Sequence, residues 1–196
     1  MPPTPLIVLA STSPHRRVLL ERLRLPFTTQ APEVDEAELS GEAPATRAAR
    51  LALAKARAVA ASNPASIVIG SDQVASVRIG PELRLLHKPG DRTHAHAQLA
   101  GMAGRSARFD TGVAVVLGDT ELIHVDLTAV QFRKLSHQEI GRYIDQEPAF
   151  DCAGGFKCEG LGVTLCETVE TRDPSALVGL PLIWLCGALR QLGVAV

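Results

Sequence analysis

Residues 6–23, LIVLASTSPHRRVLLERL, combine the features of a strand and of a helix in one short stretch. The apolar run at residues 6–9 is typical of a buried strand. Ser13 followed by Pro14 is a favourable helix start, because serine caps the N-terminus and proline fits the first turn. The apolar residues of VLLERL recur at helical spacing. The stretch therefore predicts that the fold opens with a strand followed directly by a helix.

The same alternation continues along the rest of the chain. The alanine-rich residues 45–62 favour a second helix, and Ser136 with Glu139 forms a capping box for a helix over 136–146. Strands that alternate with helices, without an internal repeat or a linker, predict one α/β unit with a mixed sheet. The other predicted elements are helices at 93–102 and 181–192, strands at 27–29, 67–69, 108–117, 122–132 and 163–169, and a hairpin over 74–88 that turns at Gly80-Pro81.

The composition argues against several functional classes. The chain has 196 residues, of which 46% are hydrophobic and 21% charged, as is typical of a globular protein. A net charge of −1 argues against general nucleic-acid binding, since the phosphate backbone attracts a basic surface. No apolar run reaches the roughly 18 residues of a membrane span, and the N-terminus does not resemble a signal peptide. We therefore expect a cytoplasmic protein that binds neither nucleic acid nor a membrane.

Cysteine and histidine spacing predicts no metal site of a familiar zinc type. The cysteines contain no C-x-x-C pair, and no histidine lies close enough in sequence to complete a zinc motif. They are Cys152, Cys158, Cys166 and Cys186. Reduced, mostly buried thiols are expected. His94 and His96 lie two residues apart, a spacing that does not share a helix face, so both are predicted to be surface residues.

Arg16 and Arg17 occupy the first turn of the predicted first helix. Basic side chains are unfavourable there, because the helix dipole already places partial positive charge at the N-terminus. Either the two arginines only solvate the outer face of the helix, or an anion binds at this end. The residues alone leave both interpretations open.

Charged side chains recur where predicted elements end. In open α/β sheets the strand ends line the ligand crevice. Carboxylates hold hard cations and basic groups neutralise phosphate oxygens, so such a set suits a metal–phosphate substrate. Charged loop residues that are merely solvated are the alternative. The residues are Arg16 and Arg17 after the first strand, Glu33, Asp35 and Glu36 after the second, Asp72 and Gln73 after IVIG, and Lys88 at the end of the hairpin.

Seven segments share their order and spacing with one enzyme family. They are ASTSPHRRVLL, APEVDE, RLALAKA, GSDQV, the pair Lys88-Pro89, CAGGFKCEGLG and LVGLPL. These segments span nearly the whole chain. Through them the chain resembles the Maf family of nucleoside triphosphate pyrophosphatases. The resemblance implies one domain over residues 1–196, an α/β fold with a long curved mixed sheet, flanking helices, and two lobes around a central cleft. It also implies cleavage of a nucleoside triphosphate between the α- and β-phosphates, with a divalent cation as cofactor.

The resemblance implies phosphate-binding roles for four residues. Ser13 and Arg16 match the family's phosphate-binding loop, where N–H groups at a helix terminus add to the basic side chain. Lys55 and Lys88 match the lysines that contact the triphosphate. For Lys55, simple solvation of its helix is the alternative. For Arg17, which is less clearly shared across the family, the solvated-face interpretation stays equally open.

The resemblance also implies a pair of acidic residues. Glu36 and Asp72 match the carboxylates expected to hold Mg²⁺ or Mn²⁺. Asp72 is in addition the family's proposed proton acceptor for the attacking water, and whether it acts as base, as metal ligand or as both is left open. Glu33 and Asp35 are expected to shape the loop rather than to take part in catalysis.

Base selection is implied at His15, Gln73 and Glu159. The patterns GSDQ and FK-x-EG resemble the subfamily that prefers 7-methyl-GTP. Methylation at N7 gives the purine a delocalised positive charge, which a carboxylate such as Glu159 favours electrostatically. The alternatives are a dTTP/UTP pyrophosphatase of the same family and a non-catalytic nucleotide-binding regulator of cell division. The expected partner is a small-molecule nucleoside triphosphate, and a homodimer is left open.

Overall fold

A computed structural model describes residues 5–196 of the chain. Within them the strands are β1 Ile7–Ala10, β2 Phe27–Gln30, β3 Ile67–Ile79, β4 Glu82–Leu86, β5 Ser106–Leu117, β6 Thr120–Phe132 and β7 Cys166–Glu170. The helices are α1 Pro14–Glu21, α2 Pro44–Ala60, α3 Arg92–Met102, α4 His137–Gln146 and α5 Leu182–Gln191. Short 3-10 turns occur at Ala153–Gly155, Leu161–Leu165 and Ala176–Val178. The predicted alternation of strands and helices is confirmed.

The strands form one mixed sheet in the order β2-β1-β3-β5-β6-β7, with β4 paired to β3. β1 runs parallel to both β2 and β3, whereas β4 is antiparallel to β3 and β7 is antiparallel to β6. This architecture confirms the predicted α/β class. No helix in residues 5–196 has both the length and the apolar character needed to cross a bilayer.

Internal contacts divide the described chain into two compact units. The first unit comprises residues 5–72, 111–126 and 173–196, and the second comprises 73–110 and 127–172. Strands β3, β5 and β6 contribute residues to both. The assignment of residues 1–196 to one domain stays a prediction.

The core of the first unit explains the continuous apolar run at its start. Alternate residues of a strand point to opposite faces of the sheet. Ile7 and Leu9 pack in a cluster with residues of α1 and α5, while Val8 and Ala10 pack with residues of α2. Because β1 is covered on both faces, it lacks the polar alternation of a half-exposed strand.

Small residues bring α2 into backbone contact with the sheet. A Cβ atom added at Gly70 of β3 would lie 2.2 Å from the carbonyl oxygen of Ala52. A Cβ added at Gly112 of β5 would lie 2.2 Å from the carbonyl oxygen of Ala48. Side chains larger than hydrogen are therefore excluded at both positions. The alanine-rich sequence of α2 serves this close approach as well as helix propensity.

Two predicted strands have different limits in the structure. Asp72 and Gln73 were expected to follow a strand that ended before them, but β3 continues through both to Ile79. The glycine at position 70 marks the contact with α2 and not the end of a strand, which is why this prediction was wrong. β7 begins at Cys166, because residues 161–165 form a 3-10 turn in which Gly162 lies against the carbonyl of Lys157.

The second unit has an aromatic core. The ring centroid of Phe156 lies 5.7 Å from that of Phe109 and 5.1 Å from that of Phe132. The predicted hairpin turn and the predicted capping box in this unit are both confirmed. The β3–β4 hairpin pairs residue 79 with residue 82 across Gly80-Pro81, and the capping box at Ser136 and Glu139 starts α4.

The cysteine and histidine predictions hold in part. None of the cysteines forms a disulfide, and all four are partly rather than fully buried. His94 is exposed as expected, with its Nδ1 2.7 Å from Asp91 Oδ2. His96 is half-buried, because its ring stacks on that of His137 at a centroid distance of 5.1 Å. The prediction of a surface histidine at position 96 therefore holds only in part.

Candidate functional site

The start of α1 has the predicted capping geometry. Ser13 is the N-cap, and its Oγ accepts a hydrogen bond from the backbone N–H of Arg16 at 3.4 Å. The Oγ of Ser11 accepts a further bond from the N–H of Ser13 at 3.1 Å. The serine-rich loop after β1 therefore fixes the direction in which α1 leaves the sheet.

The two arginines of the first turn have different surroundings. Arg17 is exposed, and its Nε lies 3.0 Å from Oε1 of Glu21 one turn later. This contact favours the solvated-face interpretation for Arg17. Arg16 is half-buried, and its Nε donates to the carbonyl of Gly179 at 3.0 Å.

The guanidinium of Arg16 interacts electrostatically with Asp72 and Glu36 of the same unit. Burial lowers the pKa of Arg16 from its ordinary value, while the charges of Asp72 and Glu36 act in the opposite direction. Because the ordinary pKa of arginine lies so far above neutrality, the guanidinium remains a cation. Arg16 is thus a partly desolvated positive charge that interacts electrostatically with two carboxylates.

Lys55, Glu36 and Asp72 form what we call the Lys55 cluster. The Nζ atom of Lys55 lies 2.6 Å from Oδ1 of Asp72 and 2.7 Å from Oε1 of Glu36. The side chain of Lys55 is 8% exposed, that of Asp72 is 12% exposed and that of Glu36 is 57% exposed. Solvation of the helix, the alternative for Lys55, is therefore wrong. A buried ammonium is tolerated because it is paired on two sides.

The loop that carries Glu36 is held by side chains of its own unit. Asp35 Oδ1 accepts from the backbone N–H of Ala37 at 2.9 Å, which agrees with the loop-shaping role expected of it. Arg47 of α2 donates to the carbonyl of Glu36 at 3.1 Å, and Arg50 donates to that of Ala37 at 3.2 Å. Glu36 is therefore exposed but its backbone is anchored.

The carbonyl of Gly179 joins Arg16 to the strand that carries Asp72. The buried hydroxyl of Ser71 lies 2.9 Å from this carbonyl and 2.7 Å from that of Gly112. Since Arg16 donates to the same oxygen, one backbone atom orients both neighbours. Sequence reasoning missed this contact, because a carbonyl acceptor leaves no signature in the residue type.

Two side chains in front of α5 fix the Gly179 segment. Asp173 Oδ2 accepts from the N–H of Ile183 at 2.6 Å, and Ser175 Oγ lies 2.8 Å from the N–H of Leu182. These are N–H groups of the first helical turn, which lack partners within the helix. An Asp and a Ser shortly before an expected helix were the available signal for this cap.

The other predicted residues lie in the following places. His15 is half-buried on α1 in the first unit. Gln73 is half-buried on β3, Lys88 is exposed after β4 and Glu159 is exposed in a loop, all three in the second unit. The structure brings Ser13, Arg16, Glu36, Lys55 and Asp72 together within the first unit.

The acidic members of the Lys55 cluster have the chemistry of a divalent-cation site. Glu36 and Asp72 supply carboxylate oxygens, which are the donors that hard cations such as Mg²⁺ and Mn²⁺ prefer. One oxygen of each carboxylate contacts Nζ of Lys55. The donor set fits the expected cofactor.

Comparison with known proteins gives consistent results. A model of the Maf-like protein family matches residues 6–192. A protein of Xanthomonas oryzae pv. oryzae, named 7-methyl-GTP pyrophosphatase, is 54% identical over 189 residues that cover 96% of this chain and 97% of that protein. Proteins of the same name from Albidiferax ferrireducens and Bordetella avium are each 48% identical, and the alignments cover 97% of this chain and 94% of each protein.

Proposed function

Because this chain belongs to the Maf-like protein family, we propose that it hydrolyses 7-methyl-GTP between the α- and β-phosphates. The products are 7-methyl-GMP and pyrophosphate. The relatives named above support this substrate through their names and their near full-length similarity. The observation that carries the proposal is the Lys55 cluster, in which a buried ammonium is held between two carboxylates beside Arg16.

The basic residues would bind and neutralise the triphosphate. Arg16 presents a guanidinium at the start of α1, where backbone N–H groups also favour an anion. Lys55 adds an ammonium that is already desolvated. Negative charge on the departing pyrophosphate is stabilised by such preorganised cations without further rearrangement. Lys88 keeps the triphosphate contact that the resemblance implies as a prediction.

The two carboxylates would hold the cation and accept the proton. A bound Mg²⁺ or Mn²⁺ would neutralise phosphate oxygens and lower the barrier to attack by water. Water adds to the α-phosphorus, the bond to the bridging oxygen breaks, and the proton of the water passes to a base. Asp72 is the proposed base or cation ligand, and Glu36 is the proposed second ligand. The pairing with Lys55 keeps Asp72 compatible with its buried position.

Selection of the base is proposed for three residues outside the Lys55 cluster. His15, Gln73 and Glu159 occupy the positions that the resemblance relates to the nucleobase. The carboxylate of Glu159 would favour the positive charge of an N7-methylated purine. The cytoplasmic location, the lack of nucleic-acid and membrane partners, and the oligomeric state remain predictions.

A substrate panel tests the proposal. The purified protein is incubated with 7-methyl-GTP, GTP, dTTP or UTP and Mg²⁺ or Mn²⁺, and the products are separated by chromatography. We expect the highest kcat/KM for 7-methyl-GTP, with monophosphate and pyrophosphate as the products and no orthophosphate. Excess EDTA should abolish the activity, and added cation should restore it. Higher kcat/KM for dTTP or UTP would support the pyrimidine alternative, and binding without turnover would support the non-catalytic one.

A further inference from the structure

The loop over residues 156–162, which we call the Glu159 loop, is held by the C-terminal end of α4. Glu147 follows α4 directly, and its two carboxylate oxygens contact the loop at separate points. Oε1 accepts from Nζ of Lys157 at 3.0 Å, and Oε2 accepts from the backbone N–H of Leu161 at 2.9 Å. The two points lie on either side of Glu159. Glu147 therefore fixes both flanks of the residue proposed to select the base.

Tyr143 supplies a third contact from the same helix end. Its hydroxyl accepts from the backbone N–H of Lys157 at 3.1 Å, and its side chain is buried. Burial raises the pKa of Tyr143 to about 12, so the hydroxyl stays protonated at neutral pH. Tyr143 and Glu147 both contact Lys157, so the two side chains face the same loop.

Close packing shows that the anchored conformation is tightly defined. A Cβ added at Gly160 would lie 2.1 Å from Oε2 of Glu147, and one added at Gly162 would lie 2.3 Å from the carbonyl of Lys157. The N–H of Gly162 donates to that carbonyl at 3.1 Å, which folds the loop back on itself. Glu159 remains exposed at the outside of this turn.

The contact with Lys157 also controls charge next to Glu159. The ammonium of Lys157 is two positions from Glu159 and interacts electrostatically with both Glu147 and Glu159. A direct hydrogen bond holds it on Glu147. Without Glu147, the ammonium would be left with Glu159 as its acidic neighbour, and it would oppose a positively charged base.

We propose that Glu147, assisted by Tyr143, is a positioning residue for base selection. It fixes both flanks of the Glu159 loop and holds the ammonium of Lys157 by a direct hydrogen bond, so that Glu159 is presented in a defined position. The inference rests on the role of Glu159 in the proposed function. It predicts an effect on the choice between 7-methyl-guanine and guanine and none on the chemistry of the phosphates, because both nucleotides carry the same phosphates.

The test measures selectivity in two independent ways. The first is the ratio of kcat/KM for 7-methyl-GTP to that for GTP, and the second is the ratio of affinities for 7-methyl-GMP and GMP by calorimetry. The variants are Glu147→Ala, Glu147→Gln and Tyr143→Phe. Asp145→Asn is the matched control, since Asp145 lies on the same helix and pairs with Arg92.

We expect Glu147→Ala to reduce both ratios by about three- to tenfold, as is usual for the loss of a coupled neighbour. Glu147→Gln should have a smaller effect, because its amide oxygen still accepts from Leu161 whereas the charge opposite Lys157 is lost. Tyr143→Phe keeps the ring in the core and should also lower the ratios. The kcat for GTP should stay within about twofold in all variants, as should both ratios in Asp145→Asn.

The affinity ratios, which need no turnover, separate a failure of this inference from a failure of the proposed function. Unchanged affinity ratios in Glu147→Gln and Tyr143→Phe, in proteins whose Tm is that of the wild type, would overturn the inference. Equal wild-type affinities for 7-methyl-GMP and GMP would overturn it as well. If the wild type hydrolysed neither triphosphate, the proposed function would be wrong, and the affinity ratios would still decide the inference.

Discussion

The Lys55 cluster and the Glu159 loop place their carboxylates by different means. Asp72 lies inside β3 with its side chain 12% exposed, and its partner Lys55 comes from a helix in backbone contact with the same strand. Glu159 is exposed in a loop whose position depends on the side chains of Glu147 and Tyr143. One carboxylate is placed by secondary structure, and the other belongs to a loop that three hydrogen bonds of Lys157 and Leu161 hold.

This difference predicts how each region responds to substitution. Changing a buried charge removes a partner from the oppositely charged group beside it in a low-dielectric environment, which is costly. Changing an exposed charge alters a screened interaction and leaves the fold intact. Substitutions in the Lys55 cluster should therefore have large effects on turnover, and substitutions in the Glu159 loop should have graded effects on selectivity.

Asp72→Asn should produce the largest effect. Asparagine has nearly the same shape but lacks the negative charge that the cation or the attacking water requires. Loss of a general base or a metal ligand costs at least about 100-fold in rate. The measurement is kcat for 7-methyl-GTP, with the exposed Asp119→Asn as control and circular dichroism to verify folding. A variant that retained more than about a tenth of the wild-type rate would show that Asp72 is not required.

Arg16→Ala and Arg17→Ala form a matched pair for the same region. Loss of a charged hydrogen-bonding group costs about 1.5–3 kcal/mol, so Arg16→Ala should lower kcat/KM by about 10- to 150-fold. Arg17 is exposed and pairs with Glu21 one turn later, so its replacement should change kcat/KM by less than about twofold. Equal losses in the two variants would contradict the distinction drawn between the arginines.

Local patterns were sufficient to predict much of this fold. The serine cap of α1, the capping box of α4 and the turn at Gly80-Pro81 depend on residues within a few positions of one another. For such elements the sequence contains both partners of the stabilising contact. The types of these elements were accordingly confirmed.

Contacts between distant residues account for what the sequence did not predict. Gly70 resembled the end of a strand, but it is needed because α2 approaches there. The resemblance implied a triphosphate contact for Lys55, with helix solvation as the alternative, and only the fold brings its ammonium to Asp72 and Glu36. The carbonyl of Gly179 orients Arg16 and accepts from Ser71, but it is a backbone group, and the residue type therefore gives no sign of this role.

Glu159→Ala should have an intermediate effect, limited to selectivity. Since the carboxylate is exposed, its interaction with the charge of an N7-methylated base is worth about 1–2 kcal/mol, or about 5- to 30-fold in the ratio of kcat/KM for 7-methyl-GTP to that for GTP. The exposed Glu167→Ala serves as control. Equal losses on the two substrates would make Glu159 a general guanine contact. The Glu159 loop would then not differ from the Lys55 cluster by acting on selectivity.

The smallest effect concerns the helix on which the Glu159 loop depends. Hydrogen bonds from Ser136, together with Arg133, lower the pKa of Glu139 to about 2 from an ordinary value of 4.5. A carboxylate whose pKa is lower in the folded protein stabilises the fold above its unfolded pKa, and that contribution is lost as the pH falls through the folded value. The free energy of unfolding should therefore decrease between pH 4.5 and about 2. In Glu139→Gln this part of the decrease should be absent, because glutamine does not titrate, and stability at neutral pH should be lower. Urea unfolding across this pH range, with Glu167→Gln as control, measures the difference. Identical pH dependence in the wild type and Glu139→Gln would show that the start of α4 does not rely on this charge. The anchoring of the Glu159 loop would then depend on the C-terminal end of the helix alone.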